Sequence, residues 1–194
     1  MEKLSHDNLY SLEQYARLRG EFRARVIEHK KPRRVSLGSN LNLYFEDRLT
    51  MQYQVQEMLR IERIFEPEAI DDELGAYNPL IPDGDNLKAT MMLEYADVDE
   101  RKRALAQLVG IENRIFIKID DLEPVYAIAD EDLERADAGK TSSVHFLRFQ
   151  FEDEAVRRAK EGAAISVGVD HEHYRHIVED LSPEQKAALV ADFD

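Results

Sequence analysis

The stretch GVDHEHYRH, residues 168–176, holds three of the chain's six histidines, His171, His173 and His176, with Asp170 and Glu172 among them. Neutral imidazole and carboxylate are ligands for divalent transition metals, so metal chemistry is the first reaction type to consider. If the strand that begins in AAISVGV runs on to position 173, His171 and His173 project to one side, at a separation where two imidazoles can share an ion. His176 returns only across a turn, and a His-x-His pair needs further ligands. Candidates to complete the shell are His145, on the alternating face of SSVHFLRFQF with Leu147, Phe149 and Phe151, and Glu57, in the polar run of a long helix. Iron, zinc or manganese would suit that set. Each position also has a plainer reading, and the residues favour it. A histidine on an apolar strand face is usually a hydrogen-bonded core residue. Glu57 has Arg60 and Arg63 nearby as partners, and the histidine stretch can be the polar end of a strand.

Other motifs fail on inspection. Gly139-Lys140-Thr141 mimics the end of a phosphate-binding loop, but Glu134 stands where the first glycine is required and a strand, not a helix, follows. Asp83-Gly84-Asp85-Asn86 with Glu94 mimics a calcium loop, but Leu87 and Lys88 replace the middle ligand and the turning glycine. Both read as turns. The chain contains no cysteine, which excludes disulfides, thiol nucleophiles, thiolate zinc sites and any cysteine-ligated iron–sulfur cluster.

These residues must be positioned by one domain. A chain of 194 residues with 43% apolar content can bury a sizeable single core. No apolar run approaches the roughly 18 residues of a membrane span, and MEKLSHDNLYSLEQ lacks the apolar stretch of a signal peptide, so a cytoplasmic protein is expected. The net charge of −14 argues against nucleic-acid binding. Charge is unevenly spread, however: residues 1–34 hold nine basic against five acidic residues, a local +4 that leaves −18 on residues 35–194. A basic helical segment on an acidic body either docks an acidic partner, with Arg19, Arg23 and Arg25 as the contacts, or packs against its own domain.

Ser11 and Gln14 have capping-box spacing, which predicts a helix from there that pauses near Gly20 and breaks at Pro32. VSLGSNLNLYFED reads as a hairpin about Gly38. Asp47 caps a long central helix, RLTMQYQVQEMLRIERIF, with Met51, Val55, Met58 and Phe65 near helical spacing and Pro67 ending it or opening a second helix. LKATMMLEY, RIFIKID, PVYAIAD, SSVHFLRFQF and AAISVGV read as strands. Helices are expected from Asp97 to Val109, at EDLERA, at DEAVRRAKE and from Ser182. Helices interrupting hairpins predict an α+β fold with a largely antiparallel sheet.

FEDRLTMQYQVQEMLRIER, AYNPLIPDGDNLKATMMLEY, YAIADEDLER, TSSVHFLRFQF and GVDH together resemble a bacterial family catalogued as domain of unknown function 3501. The resemblance covers nearly the whole chain and brings no catalytic residues. Members are often encoded beside a rubrerythrin-like protein and an iron–sulfur oxidoreductase. The resemblance therefore implies an accessory role in peroxide handling or electron transfer, with a metal-dependent enzyme as the alternative. Lacking cysteine, the chain would serve such a pathway as a partner, a scaffold or a non-thiolate metal site.

Overall fold

The computed structural model describes residues 2–131 and 139–194; the helix expected at EDLERA lies outside them. The order of elements is α1 (Leu12–Lys30), β1 (Arg34–Leu37), β2 (Leu41–Glu46), α2 (Arg48–Glu62), α3 (Pro67–Tyr77), β3 (Asn86–Leu93), α4 (Val98–Gln107), β4 (Ile115–Ile119), β5 (Val125–Tyr126), β6 (Ile128–Ala129), β7 (Val144–Gln150), α5 (Asp153–Lys160), β8 (Ile165–His171), β9 (Tyr174–Val178) and α6 (Pro183–Val190). Two antiparallel sheets form, in the orders β1-β2-β3-β7-β6 and β5-β4-β8-β9. The fold is α+β, as the mixed element order implies.

One apolar cluster joins the sheets, with Leu43, Phe45, Met91 and Phe149 from the first and Ile115, Ile117, Val167 and Val169 from the second. Within the second sheet Gly168 of β8 lies opposite Phe116 of β4, where a Cβ would sit 2.4 Å from the ring, so glycine lets that ring lie across the strand. Tyr174 adds a tie: its hydroxyl donates to the Leu37 carbonyl and accepts from the Asn40 N–H, which fixes β9 to the Gly38 turn.

The helices build smaller cores of their own. Met51, Val55 and Leu59 of α2 pack with Leu4, Leu74 and Ile81, while Tyr15, Phe22 and Val26 of α1 pack with Leu49 and Tyr53. That packing carries α1 unbroken through Gly20, so the expected pause does not occur; a mid-helix glycine costs about 1 kcal/mol, which three buried side chains outweigh. α2 stops earlier than its apolar pattern suggested. Arg63 takes a left-handed conformation at its end, and Phe65 falls outside the helix, 69% exposed. Among the described residues no helix is long and apolar enough to cross a membrane.

Candidate functional site

The histidine stretch is a hairpin. β8 ends at His171, Glu172 and His173 form a two-residue turn, and β9 begins at Tyr174, which pairs with His171. The expected straight continuation to position 173 is therefore absent, and β9, weakly alternating as an edge strand, is the element the sequence hid. His171 is buried; its Nδ1 accepts from the His173 backbone N–H at 3.2 Å, and its Nε2 faces the Val109 carbonyl at 3.2 Å. Both nitrogens are thus engaged. The His173 ring is half-exposed, 5.8 Å from that of His171 between centroids.

His145 is fully buried on β7 and faces the core. Its Nδ1 lies 2.5 Å from Asp130 Oδ2, and its Nε2 lies 2.8 Å from Thr141 Oγ1. The Thr141 hydroxyl donates to Glu112 Oε2 at 3.1 Å, leaving its lone pair to accept from the ring. Carboxylate, imidazole and hydroxyl follow the order of a hydrolytic triad. Thr141, however, is only 1% exposed and directs its proton at Glu112, so the arrangement holds the chain together. Asp130, Thr141 and Glu112 were not legible as partners of His145; Asp130 takes a left-handed backbone conformation, φ +52°, which aspartate tolerates.

Glu57 sits on α2 at the interface with α1. Arg19 grips it with two hydrogen bonds of 2.7 and 2.8 Å, and the Tyr15 hydroxyl donates to it at 2.7 Å. The Arg19 guanidinium holds the Glu57 carboxyl down at about 2, against the effect of burial and with help from Tyr15 and Arg60. Burial, with the carboxylate beside it, pushes the Tyr15 phenol up. The four candidate ligands His145, His171, His173 and Glu57 thus stand in three separate settings. Among the described residues, no three histidine, aspartate or glutamate side chains are grouped to hold a metal.

The basic segment divides into two faces. Arg33, 4% exposed, makes a two-pronged pair with Asp192 at 2.8 Å on both arms, reaches Asp47 at 3.1 Å and donates to the Ala188 carbonyl. His29 completes the cluster 2.5 Å from Asp47. Burial pushes the Asp192 carboxyl up against the pull of Arg33. Outward, Arg17, Arg23, Arg25 and Lys30 form no ion pair with any described residue, and Arg25 lies 4.9 Å over the Phe22 ring. Of the three arginines expected to meet a partner, Arg19 is engaged internally while Arg23 and Arg25 remain available.

A hollow of about 720 Å³ lies between α2–α3 and the strands β3 and β7. Met58, Tyr77, Leu80 and Phe146 give it apolar walls. Its cations are answered in place, Lys88 by Asp83 at 2.9 Å and Arg148 by Glu131 at 2.8 Å. Glu73, at its rim, is pushed up by burial and by Glu62 and Asp72.

A family model described as "Protein of unknown function (DUF3501)" matches residues 3–193. The chain is 52% identical to a protein of unknown function from Burkholderia pseudomallei K96243, whose crystal structure aligns over 100% of both chains with a TM-score of 0.94. No curated protein matches the chain.

Proposed function

The chain belongs to the DUF3501 family of proteins of unknown function, and on that premise we propose that it is an accessory protein that works by binding an acidic redox partner. The carrying observation is the division of the basic segment: its inward cations are paired, while Arg17, Arg23, Arg25 and Lys30 face outward without a carboxylate. Unpaired charge distributed around the solvent side of one helix, set on an acidic body, steers an oppositely charged partner. The candidate catalytic groups lend support, because His145, His171 and Glu57 each have their polar atoms engaged by neighbours. The family's gene neighbours suggest a rubrerythrin-like protein or an iron–sulfur oxidoreductase as that partner. In this reading such a protein carries the metal, and this chain supplies the docking face.

The test is charge reversal at Arg23 and Arg25, with Arg19 left intact because it holds Glu57. Binding of each candidate partner is measured by titration calorimetry at low and moderate salt. The expected result is an affinity about tenfold or more weaker in Arg23→Glu/Arg25→Glu, with a shallower salt dependence. Unchanged affinity and salt dependence would refute the reading.

A further inference from the structure

A second hollow, about 530 Å³, opens where the end of α1 meets the start of α2 and the C-terminal residues. Arg25, His29, Arg33 and Arg48 line it, with Leu49, Gln52 and the carboxylates Asp47 and Asp192. Those carboxylates are already committed. Asp192 takes both arms of Arg33, while Asp47 receives His29 and Arg33 on one oxygen and the Thr50 backbone N–H on the other. Arg25 and Arg48 have no carboxylate of their own among the described residues.

Two buried donors sharpen the point. The Nε–H groups of Arg33 and Arg48 are both shut away from solvent, and neither meets an acceptor within the protein. A buried guanidinium donor left without an acceptor is costly, and orphaned donors on two arginines of one hollow are a strong departure from the usual pairing of buried polar groups. Arg48 is also the first residue of the fifteen-residue α2, whose positive dipole end, capped by Asp47 at the Thr50 N–H, lies beside the hollow.

We propose that this hollow binds a phosphate-bearing small molecule, with the phosphate seated between the Arg25 and Arg48 guanidinium groups, its charge offsetting the orphaned Nε–H donors without contacting them. Guanidinium suits this ligand because its planar donors match phosphate oxygens and its charge persists at every physiological pH. A hollow of this size takes more than the phosphate, and Leu49 and Gln52 offer the remainder of the ligand an apolar and an amide contact. The site stands apart from the accessory role: it needs no partner protein, and only Arg25 is shared with the docking face.

Inorganic phosphate is the probe, titrated calorimetrically into the full chain at constant ionic strength, with chloride and glutarate in parallel. The expected result is saturable binding of one phosphate per chain, with glutarate weaker. Affinity should fall about tenfold in Arg48→Gln and in Arg25→Gln, and stay within about twofold in Arg23→Gln, which removes the same charge outside the hollow. Absent or non-saturable phosphate binding would overturn the proposal, as would glutarate binding at least as tightly, or an equal loss in Arg23→Gln. Both test arginines reach solvent, so the variants should fold; if Arg48→Gln does not, Arg25→Gln alone decides. Failure of the parent chain to bind either candidate partner, with phosphate binding intact, would count against the docking face only.

Discussion

Arg33 and Arg23 are ten residues apart in one basic segment, yet they do opposite work. Arg33 is sealed against Asp192 and Asp47 and ties the N-terminal segment to the last residues of the chain. Arg23 meets solvent and no carboxylate among the described residues. The contrast teaches that a local charge excess is not by itself a binding surface: part of the +4 is internal mortar, and only the outward remainder is available to another molecule.

The sharpest way to break the comparison is Arg33→Ala. It strands the buried Asp192 carboxylate and takes one partner from Asp47, and removing one partner of a buried pair typically costs about 3–5 kcal/mol. Urea denaturation should show a loss of that size, and Arg33→Met/Asp192→Leu should restore most of it. A loss under about 1 kcal/mol would mean that the inward face is no more structural than the outward one.

Glu57→Gln comes next, with an expected loss of about 1–2 kcal/mol at neutral pH, because it removes the negative charge and one of the two oxygens that accept from Arg19. Its pH signature is specific. The folded carboxyl titrates near 2 against an ordinary value of 4.5, so its contribution is complete above about pH 4.5 and is lost as pH falls through about 2. The parent should therefore lose stability across that window more steeply than Glu57→Gln, as thermal melts at stepped pH would show. Parallel curves would remove Arg19 from the inward set.

The smallest effect belongs to the outward face. Arg23→Ala should change stability by less than about 0.5 kcal/mol, since exposed substitutions away from caps and buried networks rarely do more. A larger loss would show that Arg23 is also part of the structure.

Much of this fold could be read from short-range chemistry. The caps at Ser11, Asp47, Asp97 and Ser182 were legible because each side chain bonds a backbone N–H three residues on. The Gly38 hairpin and the alternation of β7 were legible for the same local reason. What escaped depended on distance. Nothing near Arg33 announces Asp192, and nothing near His145 announces Glu112, because their partners arrive through tertiary packing. The histidine hairpin escaped for a different cause: YRHIV, exposed along most of an edge strand, lacks the clean apolar alternation that marks a half-buried strand. For the candidate site, residue types were therefore visible, while their engagement or availability was not.

The passage of the chain through Ala127 has a mechanical consequence. Val125 and Tyr126 pair with β4 in one sheet, Ile128 and Ala129 pair with β7 in the other, and Ala127 between them donates its N–H to Ile115. Two ladders thus share a single covalent stitch one residue wide. Sliding one sheet against the other by one register position would strain the edge pairing of both, so shear of the layers is coupled to these two strands. Hydrogen exchange at Ile117 and Leu147, on opposite sides of that stitch, should accordingly report one shared opening event.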